Sequence, residues 1–91
     1  MLIVVSYDIP DDRRRTRLAH ALKDFGRRVQ YSVFECRLTE AELGSLRLVV
    51  LQEIETDEDW VRIYRFCTDC GERTELFGSG TLTEDPDLYI L

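Results

Sequence analysis

Asp8 is the first residue in this chain whose type and place could do chemistry. It closes an apolar run, Leu2-Ile3-Val4-Val5, and precedes the turn residues Ile9-Pro10-Asp11-Asp12. A carboxylate at a strand end can bind a hard cation such as Mg²⁺, which takes oxygen ligands and keeps several of its waters. If a two-fold dimer pairs the first strands, two copies of Asp8 come near one ion. That ion would activate water and stabilise the charge of a phosphoryl-transfer transition state. A competing assignment has Asp8 capping the turn or the following helix. One carboxylate per chain is a small donor set for a nuclease. Asp11 and Asp12 follow closely, but either also suits the helix N-cap.

Arginines follow at once. Arg13-Arg14-Arg15-x-Arg17 opens a helix, and Arg27-Arg28 lie beyond its far end. Guanidinium groups grip phosphate oxygens in pairs. Cations at a helix start oppose the macrodipole, so their presence there asks for a use. Phosphate contact is one; a solvated face with Asp and Glu partners is the other. Tyr31, Ser32 and Phe34 could stack on and hydrogen-bond to a single strand, although aromatic residues in strands are more often core. Cys67-Thr68-Asp69-Cys70 has half of a zinc spacing. There is no second such pair, and His20 is the only histidine, so plain packing accounts better for the cysteines. His20 falls on a polar helix face and reads as solvated. No Ser-His-Asp set, phosphate loop or dinucleotide fingerprint is present.

The elements that must position these residues can be read from periodicity. Residues 2–8 form a strand whose unbroken apolar start implies a central place, covered on both faces. A helix over 12–25 places Leu18, Ala21, Leu22 and Phe25 on one stripe, with Gly26 as its stop. Residues 29–38 are β-branched and aromatic, and read as two short strands or one bent near Ser32. Thr39-Glu40-Ala41-Glu42 is a capping box. It opens a second helix over 40–54 that buries Leu43, Leu46, Val50 and Ile54. An acidic turn, 55–59, leads to a strand over 60–66. A shorter strand over 74–77 follows, and residues 88–91 are expected to form a last edge segment.

The order β-α-β-β-α-β with a C-terminal extra strand is an α+β, ferredoxin-like sandwich with helices on one face of an antiparallel sheet. It forms a single domain, 1–91. Helices cover only one face, so the other face of an apolar central strand needs a cover, and a second copy of a 91-residue chain is the simplest one.

Composition sets the outer bounds. With 44% hydrophobic and 33% charged residues the chain is globular. No run nears the roughly 18 apolar residues of a membrane span. An odd three cysteines and no secretory start argue for the cytoplasm and against a disulfide framework. The net charge of −6 hides an asymmetry: residues 1–37 hold eight Arg and Lys against five acids, and residues 38–91 hold four against thirteen. A basic patch on an acidic body remains compatible with nucleic acid.

The run Val4-Val5-Ser6-Tyr7-Asp8-Ile9-Pro10-Asp11-Asp12-Arg13-Arg14, then Arg17-Leu18, Gly26 and Val29-Gln30-Tyr31-Ser32-Val33-Phe34-Glu35-Cys36, resembles the CRISPR-associated endoribonuclease family, the second universal adaptation protein, which partners the integrase. Arg62-Ile63-Tyr64, Cys67-x-x-Cys70 and Leu76-Phe77-Gly78 extend the likeness over essentially the whole chain. The resemblance implies a ferredoxin-like homodimer whose C-terminal strand reaches toward its partner. It implies Asp8 as the catalytic, Mg²⁺-binding carboxylate of an endonuclease acting on single-stranded RNA or duplex DNA. Arg14 and Arg17 would contact backbone phosphates; Arg28 by its charge and Tyr31 by its ring, read from the residues themselves, would complete the nucleic-acid surface. The dimer would bridge two integrase dimers and hold protospacer DNA during spacer acquisition. Two other functions remain: a DNA-bridging scaffold that cuts nothing, and a toxin-like messenger-RNA interferase of the same fold.

Overall fold

The computed structural model describes residues 1–67 and 71–78, with the side chains of Cys67 and of residues 71–74 outside the description. Strand β1 (Leu2–Asp8) leads to helix α1 (Asp12–Leu22), the hairpin β2 (Gly26–Gln30) and β3 (Val33–Arg37), helix α2 (Glu40–Glu53), and strands β4 (Trp60–Cys67) and β5 (Gly71–Gly78). The sheet order is β2-β3-β1-β4-β5 with every adjacent pair antiparallel. This is the expected ferredoxin-like sheet with a fifth strand on its β4 edge. The predicted segment over 88–91 and the Thr68-Asp69-Cys70 stretch lie outside the described residues.

β1 sits in the middle of the sheet, and its alternation settles the two faces. Ile3, Val5 and Tyr7 point into the core with Leu18 and Leu22 of α1, Leu43, Leu46 and Val50 of α2, and Val61 and Ile63 of β4. Leu2, Val4, Ser6 and Asp8 point to the other face, beside Arg62 and Tyr64, because Val4 pairs with Tyr64 and Ser6 with Arg62. That second face is not bare. Val4 and Ser6 are each 8% exposed, Arg62 7% and Tyr64 1%. What stays open is an apolar groove of about 320 Å³ lined by Leu2, Val4, Val29, Val33 and Phe66, where Val29 is 45% exposed.

Both helices start as their sequences dictate. The Asp11 carboxylate accepts from Arg14 N at 3.2 Å and caps α1. Thr39 and Glu42 form the full capping box of α2, at 3.2 and 2.8 Å. The end of α1 departs from expectation. The helix stops at Leu22, a turn spans 23–25, and Gly26 opens β2 instead of stopping the helix. The reason is steric: a Cβ on Gly26 would lie 2.3 Å from Glu35 O and 2.6 Å from Cys36 Sγ. The glycine serves close approach of β2 to β3. Ala19, and not Ala21, takes the buried place beside Leu18 and Leu22. The 29–38 stretch resolves into two strands, with Tyr31-Ser32 as the turn between them.

Among the described residues, no helix is long and apolar enough to cross a membrane.

Candidate functional site

Asp8 is the exposed last residue of an otherwise buried β1. Its position follows from the sheet. On one side lies the β2–β3 turn, held to the strand by Tyr7 N donating to Ser32 O at 3.1 Å. On the other lies β4, where Asp8 pairs directly with Trp60. The carboxylate thus stands between Tyr31 and Ser32 on one flank and Trp60 on the other, and all four line one cavity of about 340 Å³ together with Tyr7 and Arg15.

A second cavity, about 300 Å³, adjoins on the helix side of the hairpin. It shares Tyr7, Arg15 and Tyr31 with the first and adds His20, Lys23 and Arg28. No acidic side chain lines it. Burial pushes the Tyr7 phenol above its ordinary range, and the Arg28 guanidinium beside it pulls the other way without winning. Tyr7 therefore stays a neutral hydrogen-bonding group at physiological pH. Arg28 lies over the Phe34 ring at 5.6 Å from the centroid, which orients its exposed head toward this cavity. Tyr31 is 73% exposed at the tip of the turn. It is no core residue, so its ring can meet a ligand.

The arginine run divides into different employments. Arg14 carries an internal bond: Nε donates to Asp59 Oδ2 at 2.8 Å and Nη2 to Asp59 Oδ1 at 3.0 Å. Asp11 at 3.7 Å and Glu58 at 3.5 Å surround the same guanidinium. The expected phosphate contact thus competes with a closed bidentate ion pair to the chain's own fully buried Asp59 side chain. Burial alone would push Asp59 up; hydrogen bonds from Arg14 and from Glu55 N at 2.8 Å, with the Arg14 charge, outweigh it and hold the carboxyl below its ordinary range. Arg17 pairs with Glu53 at 3.2 Å across the two helices but keeps 59% of its side chain exposed. A surface pair of that kind is weak and yields readily to a phosphate.

Arg15 is the member of the run that reaches the Asp8 cavity. Its Nη1 donates to Ile9 O at 3.0 Å, and Nη2 pairs with Asp12. Sequence reading did not single it out from its neighbours. It also passed over Asp59, hidden in an acidic stretch that looks uniformly solvated, and Trp60, which looked like a strand start. Helical spacing does separate Arg14 from Arg15 by about 100° of rotation, but which of them meets a carboxylate from residue 59 is a tertiary fact.

Among the described residues, no three His, Cys, Asp or Glu side chains cluster as a metal cage. A single exposed carboxylate still suits Mg²⁺, which is commonly held through one or two carboxylates and retains its waters. Asp8 fits that mode and does not fit a closed all-protein site.

Comparison with known proteins agrees with this architecture. The family model described as CRISPR associated protein Cas2 matches residues 1–74. A CRISPR-associated endoribonuclease Cas2 of Synechocystis is 38% identical over 99% of this chain and 98% of its own length. A CRISPR-associated endonuclease Cas2 of Thermus thermophilus is 42% identical over 99% and 96%. The crystal structure of Streptococcus pyogenes Cas2 superposes with a TM-score of 0.69 at 32% identity, covering 76% of this chain and 89% of that one. With the family model spanning most of the chain and relatives alike along its whole length, the chain belongs to the CRISPR-associated Cas2 family.

Proposed function

We propose that this chain is a metal-dependent endonuclease of CRISPR adaptation that hydrolyses phosphodiester bonds in single-stranded RNA, and that it works as a homodimer beside the CRISPR-associated integrase. The observation that carries this reading is the exposed Asp8 carboxylate at the end of the central strand, in one cavity with Arg15 and Tyr31. The names of the Synechocystis and Thermus relatives support the nuclease class.

In this reading Asp8 holds a Mg²⁺ ion, which when bound supplies charge stabilisation and an ionisable water. Arg15, anchored on Ile9 O, offers its guanidinium to a phosphate oxygen. Arg28, and Arg17 once released from Glu53, extend the basic track along the backbone. Tyr31 offers an open ring face to a base. A homodimer would bring a second Asp8 to the ion, and the groove at Val29, Val33 and Phe66 gives that association an apolar surface to bury.

The test is cleavage of RNA and of duplex DNA by wild type and Asp8→Asn, each purified afresh. Asp8 is exposed and its substitution leaves the core untouched, so we expect the same oligomeric state and a loss of at least about 100-fold in Mg²⁺-dependent cleavage. Undiminished cleavage by the variant would remove Asp8 from catalysis. A specific observation favours one other reading: Asp8 is the one carboxylate lining its cavity, and no three His, Cys, Asp or Glu side chains among the described residues are placed to hold a metal. A dimer that bridges integrase dimers and positions protospacer DNA without cutting it needs no more than that. Wild type that binds nucleic acid but cleaves neither substrate would select the bridge.

A further inference from the structure

We propose that Trp60 is a nucleobase platform that orients the strand at Asp8, so that the substrate is a single strand with at least one base turned out of its stack. The inference rests on the nuclease reading for the identity of the bond cut, but its own content is a binding mode.

The sheet register carries it. Trp60 opens β4 directly opposite Asp8. Directly opposed residues on adjacent strands share a face, with Cβ atoms about 5 Å apart. The indole is therefore a neighbour of the carboxylate by construction. It is partly exposed and lines the same cavity. On the β5 side Trp60 pairs with Gly78, which has no side chain to cover it. Gly78 must stay bare: its φ is +98°, and a Cβ would meet Asp59 O at 2.0 Å. Among the described residues, the fold thus puts no β5 side chain opposite the indole on one flank and places the carboxylate on the other.

One face of the ring is also covered. The Arg62 guanidinium lies 4.7 Å from the indole centroid, and Arg62 is only 7% exposed. A buried cation against one face favours this ring position and, among the described residues, leaves the indole partly exposed to a ligand. Behind it, the residue before Trp60 is Asp59, locked by Arg14 and Glu55 N. An indole favoured in one position loses less entropy when a base stacks on it.

Tyr31 stands on the opposite flank of Asp8, in the same cavity. A strand crossing the carboxylate would place one base toward Trp60 and the next toward Tyr31, with the phosphate between them facing Asp8 and Arg15. Paired, stacked bases present no ring faces to such a bracket, so a duplex cannot use it. Base–aromatic stacking tolerates any base, which predicts weak sequence preference.

Trp60 is the only tryptophan in the chain, so its emission reports this contact directly. The probes are a short single-stranded RNA, an abasic sugar–phosphate strand of the same length carrying no bases, and the duplex form of the RNA. They are titrated into wild type and into Asp8→Asn, which need not cut. We expect the intact strand to quench Trp60 emission in both proteins, and the abasic strand and duplex to quench it far less. Binding by Trp60→Ala, followed with a labelled strand, should weaken about tenfold, and Trp60→Phe should recover most of that loss. In cleavage, Trp60→Ala should raise KM more than it lowers kcat. Equal quenching by intact, abasic and duplex probes, or Trp60→Phe binding no better than a folded Trp60→Ala, would overturn the proposal. If Trp60→Ala does not fold, the quenching series and Trp60→Phe decide it alone. Absence of cleavage by wild type with quenching intact would sink the nuclease reading and leave this one standing.

Discussion

At the scale of single residues, the sequence exposes what a side chain can do and conceals what it is already doing. Asp8 was legible because its place is set locally, by a strand that ends and a turn that begins. Arg14 was not, because its partner lies 45 positions away. Read alone, an arginine at a helix start resembles a phosphate ligand; in the fold it meets Asp59, whose side chain is wholly buried. That pair yields a prediction. Asp59→Ala removes three hydrogen bonds from a buried carboxylate and leaves a guanidinium without its main partner, and should cost about 3 kcal/mol of stability, measured by urea unfolding. The pH dependence has a definite sign. The Asp59 carboxyl is depressed in the folded chain, so its contribution is complete above the ordinary aspartate range near about pH 4. It is lost as pH falls through the depressed value, because the unfolded chain takes up the proton first. The acid limb of the stability profile should therefore be shallower in Asp59→Ala than in wild type.

At the scale of elements, local signals foretold starts better than ends. The capping box of α2 appeared where Thr39 and Glu42 announced it, because both partners of a cap lie within four residues. The end of α1 was misplaced because glycine has two meanings. As a helix stop it supplies a left-handed turn; Gly26 instead lets two strands approach, and its contacts at Glu35 and Cys36 belong to the next strand. Three glycines separate these meanings experimentally. Gly44 lies inside α2, where an added methyl group would meet nothing within 4 Å, so Gly44→Ala should stabilise by about 0.5–1 kcal/mol through helix propensity. Gly26→Ala and Gly78→Ala meet backbone at 2.3 and 2.0 Å and should each destabilise by about 2 kcal/mol or more. Thermal unfolding of the three variants, compared with wild type, checks the ordering. The hairpin was also half-legible: its β-branched run marked strand, but only pairing with β3 reveals that β2 begins at Gly26.

At the scale of the whole molecule, the order of elements was readable from periodicity, and the sheet order followed from it. The coverage of the second face was not. An unbroken apolar β1 called for a cover, yet Val4 and Tyr64 are already buried within the single chain. One apolar surface open to a second copy is the groove toward β2, with Val29 at its exposed rim. If the homodimer forms there, Val29→Asp should place a charge in the buried seam and weaken association at least about tenfold. Sedimentation equilibrium measures this directly; an unchanged dimer would locate the seam elsewhere. The charge asymmetry persists at this scale too. Arg15, Lys23 and Arg28 gather around the two cavities, while the acidic 55–59 turn is partly neutralised by Arg14.

The Arg14–Asp59 bond also works as a hinge pin. It rivets the stretch of chain departing from Asp8 to the stretch arriving at Trp60, so carboxylate and indole cannot drift apart independently. Loosening the pin by substitution would slacken the jaws, so Asp59→Ala should lose grip on a strand even under conditions where the sheet stays folded.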